Sequence, residues 1–192
     1  MTEPADALLR FISRLQRLEA LPRTGWLVAG VVAPESIAAH VHEVALIAMW
    51  IADHLDEPVD TERVLRIALL HDVSESLTTD VPKPVKELFG EEAFAAAERR
   101  ATDIVLAEAP PEWRDHLTEY EARTTVEARI VKAADGIQMF ARALAYQAAA
   151  NGDTRRFQAA RPPDHGLALV REIIDRLEAL RDGAGWFVAD FD

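Results

Sequence analysis

Cysteine is absent from the 192-residue sequence, which excludes disulfide bonds, thiolate metal sites and cysteine nucleophiles. Long apolar runs are also lacking. The most apolar segment, VALIAMWIADHL, is too short and too polar at its ends to span a bilayer. Basic residues are scarce beside acidic ones, 21 against 33, and the resulting formal charge of −12 disfavours broad contact with nucleic acid or an anionic membrane. A small anionic substrate held by a local cation remains compatible with this charge.

The N-terminal segment MTEPADALLRFISRL is acidic and amphipathic, so it does not have the basic-then-apolar order of a signal peptide. Repeats, low-complexity tracts and linkers are not evident. The length is that of one domain able to bury a sizeable core. We therefore expect a single cytoplasmic domain over residues 1–192.

Helical periodicity dominates the sequence, and convincing period-2 strands are absent, which predicts an all-α fold. Irregular structure is expected at 21–34, 73–83 and 151–163. The first predicted helix starts near Thr2 and Pro4 and has the stripe Leu8, Ile12, Leu15 and Leu18. The second runs over about 34–54, with Ile37, Val41, Val44, Ala48, Ile51 and Leu55 on one side, and the third has Val64, Ile67, Ala68 and His71 on one face. The others are one over 91–109 that stops at Pro110, a short one over 110–122, one that follows a Thr124–Glu127 capping box and ends at Asn151–Gly152, and one over 164–183 closed by Gly183.

Two of the six histidines lie on apolar helix faces, His40 and His71. Any single histidine is more often a surface residue or a satisfied core residue than a metal ligand, and His54, His116 and His165 are interpreted that way. His42, two residues after His40, points well away from it on a helix. Asp72 follows His71 directly and has no obvious cation nearby in the sequence.

Asp135 stands in the middle of an apolar helix, where an unpaired carboxylate is very costly. Lys132, three residues earlier, is one possible partner. A divalent ion shared by His40, His71, Asp72 and Asp135 is the other, and it would satisfy all four groups together.

The order His…His-Asp…Asp over three helices resembles the metal-dependent phosphohydrolases of the HD-domain superfamily. Four segments extend the resemblance to its 5′-deoxynucleotidase branch, including bacterial enzymes and eukaryotic HD-domain-containing relatives. They are RTGW at 23–26, PESIAAH at 34–40, HDVSESLTTDVPKPVK at 71–86 and EYEARTTVEARIVKAAD at 119–135. The resemblance covers about residues 8–150, and no motif is matched in the helical extension at about 164–183. It implies one compact helical bundle with a metal site between its central helices.

The resemblance implies a role for each matched residue. His40, His71, Asp72 and Asp135 would hold one divalent ion (Mn, Co, Mg, Fe, Ni or Zn), and nitrogen and oxygen ligands suit such ions. Glu75 would be the catalytic carboxylate one helical turn after Asp72, and Asp72 would be catalytic as well as a metal ligand. Arg23 would hold the 5′-phosphate with a bidentate fork, and Asp80 would contact the substrate.

Two positions depart from the family pattern. Ala39 replaces the acidic residue that precedes the first histidine in many relatives, which removes a supporting partner for His40. Thr24 and Gly25 separate Arg23 from Trp26, whereas some members have the arginine and tryptophan adjacent. Trp26 is either the wall that excludes a 2′-hydroxyl or an anchor that plugs the core beside Gly25.

The implied activity is removal of the 5′-phosphate from deoxyribonucleoside monophosphates, by an enzyme that is commonly a homodimer. The alternatives are a pathway-specific phosphatase for a modified nucleotide and a non-catalytic metal- or nucleotide-binding protein. Hydrolysis of a guanosine tetraphosphate alarmone is disfavoured, because Ser76 follows Glu75 where those enzymes usually carry a further acidic residue. A helical protein with incidental His and Asp residues would require the long ordered match to be accidental.

Overall fold

Helices supply the regular structure of this computed structural model, which describes residues 3–159 and 161–181. Within these ranges the β-type pairing is one isolated backbone bridge between Pro22 and Ser36. The all-α prediction is confirmed. In chain order the helices are α1 (Pro4–Ala20), α2 (Thr24–Val28), α3 (Ile37–Asp53), α4 (Thr61–Leu70), α5 (Glu75–Thr78), α6 (Lys83–Phe89), α7 (Glu91–Val105), α8 (Glu112–Ala122), α9 (Val126–Ala148), α10 (Arg155–Gln158) and α11 (Ala168–Ala179).

The main core lies between α3, α4 and α9, and α11 packs against α9. The predicted apolar face of α3 is confirmed, since its side chains at helical spacing are fully or largely buried. Val170 and Ile174 bring α11 into the same core. The buried α3 residues are Ile37, Val41, Val44, Ala48 and Ile51.

Side-chain caps begin the three central helices. Ser36, Asp60 and Thr125 each accept a hydrogen bond from the backbone N–H three residues later, at the start of α3, α4 and α9 respectively. The predicted Thr124–Glu127 capping box is therefore wrong by one residue. The Glu127 carboxylate instead accepts a hydrogen bond from the backbone N–H of Asp60, so it joins two helix starts.

The buried face of α1 differs from the stripe that the sequence pattern indicates. Leu8, Ile12 and Leu15 are exposed, and only Leu18 of that stripe is buried. The inward face instead contains Phe11, which packs edge-on against Trp113. Helix α1 has apolar residues on two sides, so the position of its neighbours determined which side is covered.

One-turn helices occupy the three segments expected to be irregular. They are α2 in 21–34, α5 in 73–83 and α10 in 151–163. Each carries a buried side chain, Trp26, Glu75 and Gln158 respectively. Such short helices have little intrinsic stability, so tertiary contacts hold them.

Helix α11 is shorter than the predicted 164–183. The predicted start signal Thr2 and the predicted end signal Gly183 lie outside the described residues. In the described ranges, no helix is long and apolar enough to cross a membrane.

Candidate functional site

The end of α4 positions the central pair. His71 is the C-cap of this helix, and its Nδ1 lies 2.7 Å from the carbonyl oxygen of Ala68. Carbonyls in the last turn lack helical partners, so this one accepts a hydrogen bond from the ring N–H. The proton is thereby placed on Nδ1, and Nε2 of His71 keeps its lone pair. Buried Nε2 has no hydrogen-bond partner.

His40 reaches the same point from α3 and is fully buried. Its Nδ1 lies 2.7 Å from Oε1 of Gln138, a buried residue of α9. The Nε2 atom of His40 is likewise buried without a hydrogen-bond partner. Two imidazole rings therefore present free lone pairs to one region, which is the arrangement that a metal ion requires of neutral histidines.

Carboxylate oxygens face these two ring nitrogens. Oδ2 of Asp72 lies 3.3 Å from Nε2 of His71 and 3.6 Å from Nε2 of His40. Oδ1 of Asp135 lies 3.4 Å from Nε2 of His40. The ligand atoms of His40, His71 and Asp72 all lie within 4.8 Å of one another, so these three form a possible metal-binding group. Asp135 lies beside that group through its contact with His40.

The other oxygen of Asp135 is held by residues of α8 and α9. The Tyr120 hydroxyl donates a hydrogen bond to Oδ2 at 3.2 Å, and the Lys132 ammonium lies 4.0 Å from the same atom. Lys132, the first expected partner, therefore contacts one oxygen of Asp135, and the other oxygen faces His40, as a shared divalent ion would require. Burial opposes the ionisation of Asp135, but the neighbouring histidines hold the pKa of Asp135 below its ordinary value.

Glu75 opens α5 one turn after the central pair and is 7% exposed. Its Oε2 atom has no hydrogen-bond partner. Burial, together with the negative charge of Asp72, raises the pKa of Glu75 to about 10, and Arg23 opposes that rise. A carboxyl group that keeps its proton at neutral pH can exchange it with a substrate, and a cation bound beside Asp72 would lower this pKa.

Arg23 lies between two carboxylates and precedes α2. Its guanidinium lies 3.2 Å from Oδ2 of Asp72 and 3.7 Å from Oδ1 of Asp80. Burial opposes its charge, but these carboxylates hold the pKa of Arg23 above its ordinary value. Backbone hydrogen bonds from Arg23 to Glu35 and from Ile37 to Leu21 fix this segment against the start of α3.

Asp80 is oriented by the backbone around it. Its Oδ2 accepts a hydrogen bond from the Thr24 N–H at 2.6 Å. The preceding residue, Thr79, has φ 61° and ψ 170°, a conformation that β-branched residues rarely adopt. This strained turn lets the chain leave α5 and aim Asp80 at Arg23.

One cavity of about 310 Å³ is lined by Arg23, His71, Asp72, Glu75, Asp80 and Asp135, whereas His40 is fully buried and does not line it. It contains three cations, Arg23, Lys86 and Lys132. The cavity has more acidic than basic side chains, so a bound cation would offset its excess of negative charge. Its carboxylates are Asp72, Glu75, Asp80, Glu98, Glu121 and Asp135.

Trp26 lies outside this cavity. It is 2% exposed, packs against Tyr146 and Phe157, and donates from its indole N–H to Oε1 of Glu35 at 2.9 Å. These contacts are those expected of the core anchor, and both roles of Trp26 stay predictions. Trp26 also lines an adjacent, more apolar recess of about 470 Å³, which shares Arg23 and Asp80 with the acidic cavity.

No local sequence pattern marks Gln138, Tyr120 or Lys86 as parts of the site. Their side chains are common structural residues, and only spatial contact links them to the histidines and carboxylates. The position of Gln138, three residues after Asp135, was the one available signal. His54, interpreted as a surface residue, is exposed and stacks on Trp50.

A helical bundle with two histidines and two aspartates converging at one end of its core defines an HD-type metal-site protein. The HD domain family model matches residues 15–161. The chain belongs to the HD domain family.

Proteins similar to the chain include two curated enzymes. A Schizosaccharomyces pombe protein named 5′-deoxynucleotidase hdd1 is 33% identical over 153 residues, 77% of this chain and 76% of its own length. Human 5′-deoxynucleotidase HDDC2 is 32% identical over 149 residues, 74% of this chain and 70% of its own. The solved structure of PH0347 from Pyrococcus horikoshii is 31% identical, with a TM-score of 0.77 over 90% of this chain and 99% of that one.

Proposed function

We propose that this protein is a metal-dependent 5′-deoxynucleotidase, which releases phosphate from deoxyribonucleoside 5′-monophosphates. The observation that carries the proposal is the pair of buried, unpartnered Nε2 atoms of His40 and His71, facing two carboxylates in the cavity that also holds Arg23 and Glu75. The names of the two curated relatives support the reaction.

The proposed ligands of one divalent ion are His40, His71, Asp72 and Asp135. Two imidazoles and two carboxylates suit Mn, Co, Mg, Fe, Ni or Zn. A bound ion would supply Lewis acidity, which polarises the phosphoryl oxygens and makes the attacking water more acidic. Asp135 would bind through Oδ1, because Tyr120 and Lys132 hold its other oxygen.

Glu75 is the proposed proton-transfer group. In the reaction, the water oxygen forms a bond to phosphorus while the bond from phosphorus to the 5′-oxygen breaks. One proton must leave the water, and one must reach the 5′-oxygen of the leaving nucleoside. Glu75 can take the first proton or deliver the second, because it lies beside Asp72 and is not engaged by a hydrogen bond at Oε2.

Arg23 is the proposed phosphate-binding residue. Its guanidinium contacts Asp72 and Asp80 in the structure. A cation held by Asp72 would offset the charge that Arg23 now contacts, which would leave the guanidinium freer to form a bidentate contact with phosphate. Asp80 then remains beside Arg23 and can accept a hydrogen bond from the 3′-hydroxyl of the sugar.

The apolar recess is the proposed site of the nucleobase. Arg23 and Asp80 form its border with the acidic cavity, and apolar side chains form much of its wall. A planar base would be held there by packing, with little discrimination among bases. The walls include Val81, Pro82, Met139 and Phe157.

The experiment that tests this function measures phosphate release from a panel of ribo- and deoxyribonucleoside 5′-monophosphates with several divalent ions. The panel includes deoxyribose 5-phosphate, which lacks a base. Deoxynucleotides are expected to react best, and Phe157→Ala should reduce their kcat/KM by roughly tenfold while sparing deoxyribose 5-phosphate. Turnover of one modified nucleotide alone would instead identify a pathway-specific phosphatase. Binding without turnover would identify a non-catalytic protein.

The sugar preference rests on Trp26 as a wall, and its observed contacts support the anchor role more directly. Trp26→Ala separates the two: a wall predicts a higher ratio of ribonucleotide to deoxynucleotide turnover. An anchor predicts an unchanged ratio with lower thermal stability.

The remaining features are also proposals: one domain over 1–192 with a C-terminal extension, a cytoplasmic location, a homodimer, and no nucleic-acid or membrane partner. The charge of −12 supports the last point. Exposed apolar side chains on α1 and α3, including Leu9 and Trp50, support an interface between copies. Light scattering during size-exclusion chromatography measures the oligomeric state.

A further inference from the structure

Gln138 lies at the centre of a buried polar network behind His40. It is 1% exposed and belongs to α9, three residues after Asp135. Its side-chain N–H groups donate to Oε2 of Glu35 at 2.8 Å and to Oε2 of Glu43 at 3.0 Å. Its Oε1 faces Nδ1 of His40 at 2.7 Å.

The two carboxylates determine which way the Gln138 amide points. With the amide reversed, its oxygen would face the carboxylates of Glu35 and Glu43. Both contacts would then join two acceptor oxygens with no hydrogen to share. Arg142 holds both carboxylates in place, at 3.0 Å from Oε2 of Glu35 and in direct contact with Glu43. The carbonyl oxygen of Gln138 must therefore face His40, and only an N–H at Nδ1 can satisfy it.

We infer that Gln138 is a positioning residue that holds His40 in the Nδ1–H tautomer, so that Nε2 is directed at the metal site. A histidine ligand is oriented by the hydrogen bond at its other nitrogen, and loss of such a partner weakens metal binding by roughly 10–100-fold. Ala39 cannot serve as that partner. The inference rests on the metal site of the proposed function and not on the nucleotide specificity.

The same network reaches the phosphate-binding segment. Glu35 accepts the hydrogen bond from the Trp26 indole, and Trp26 lies in α2, the helix that begins directly after Arg23. The backbone N–H of Glu35 also donates to the Tyr146 hydroxyl of α9 at 2.8 Å. Glu35 therefore contacts both Gln138, which faces His40, and Trp26, which lies in the helix after Arg23.

Gln138→Met tests the inference, because methionine has a similar length and accepts hydrogen bonds only weakly. We expect the Kd for Co²⁺, measured by calorimetry on the otherwise intact protein, to rise roughly 10–100-fold. The visible absorption of bound Co²⁺ should change as His40 loses its fixed orientation. The Tm of the metal-free variant separates this effect from a loss of folding.

Gln158→Met is the matched control, since Gln158 is also a buried glutamine, bonded to Ala143 and Gln147 away from the histidines. It should lower Tm and leave the Co²⁺ Kd unchanged. Gln138→Glu keeps an acceptor for His40, and a proton on its other oxygen can replace the donor that faces Glu35 and Glu43. In that protonated form it should bind Co²⁺ with a Kd within several-fold of that of the natural protein, at a lower Tm.

Three results would overturn the inference. Gln138→Met could bind Co²⁺ with the natural Kd and spectrum. Both methionine variants could weaken binding equally, which would show a purely structural effect. Gln138→Glu could fold and still fail to rescue binding. A natural protein that hydrolyses nucleotides without binding Co²⁺ would remove the metal-site premise and leave the activity standing.

Discussion

Helices α3, α4 and α9 build two interiors of opposite character. In the apolar interior they pack through aliphatic side chains, and Ile51, Ile67 and Ile130 are fully buried there. In the polar interior they bring together His40, His71 and Asp135, and the buried Nε2 atoms of the two histidines lack hydrogen-bond partners. The first interior stabilises the bundle through burial of apolar surface. The second carries a desolvation cost, which indicates a bound ligand.

Removing a member of the polar interior should have the largest effect on function. Asp72→Ala is expected to reduce bound metal and to lower kcat/KM by at least ~10³-fold, because Asp72 faces both histidines and Arg23. Elemental analysis and phosphate release measure the two effects. Asp56→Ala, at an exposed loop position, is the control. Full metal occupancy in Asp72→Ala would contradict the ligand assignment.

Glu75→Gln separates proton transfer from metal binding. We expect turnover to fall by about 10²–10⁴-fold with metal content retained, since the carboxyl group handles protons. Exposed Glu92→Gln on α7 should leave turnover unchanged. Near-normal turnover of Glu75→Gln would remove this residue from the mechanism.

In the metal-free protein, Glu75→Gln is predicted to change how the free energy of unfolding depends on pH. The folded-state pKa of Glu75 is raised to about 10, above the ordinary 4.5, so the folded protein binds the proton more tightly than the unfolded chain. This contribution to stability is present below pH 4.5 and is lost as pH rises towards 10, at up to ~1.4 kcal/mol per pH unit. Urea unfolding in a chelator should show a steeper loss of stability between pH 6 and 8.5 for the natural protein than for Glu75→Gln. Equal slopes would contradict the raised pKa.

Ile51→Ala tests the apolar interior. The free energy of unfolding is expected to fall by about 2–5 kcal/mol, because a fully buried side chain leaves a cavity. The Co²⁺ Kd of the folded fraction should not change. Ile104→Ala, at a half-exposed position on α7, should cost less than ~1 kcal/mol. A large change in metal affinity in Ile51→Ala would show that the two interiors are not energetically separate.

The smallest expected effect concerns the strained turn beside the polar interior. Thr79→Gly should raise the free energy of unfolding by ~1 kcal/mol, since glycine adopts φ 61° and ψ 170° without strain, and part of that gain is offset by its larger unfolded-state entropy. Thr78→Gly, one residue earlier within α5, should have the opposite sign. Chemical denaturation measures both, and a destabilised Thr79→Gly would show that no strain is stored there.

Much of the helical framework could be predicted because period and chemistry agree along the chain. The apolar face of α3, from Ile37 to Ile51, is buried as predicted, and the last predicted helix packs through Val170 and Ile174. The central His71–Asp72 pair and His40 meet as the family resemblance implies. The start of α9 was misplaced by one residue, because adjacent threonines offer two possible caps.

The sequence by itself determined the helical class, the positions of the main helices and the residue types able to bind a metal, because these depend on local periodicity and on side-chain chemistry. Only the tertiary structure decided which face of α1 is covered, where Trp26 lies and which residue supports His40. Those outcomes depend on neighbours far apart in the chain. Gln138 shows the reason: its role follows from simultaneous contacts with α3 and with the loop before it, and no local pattern encodes that meeting.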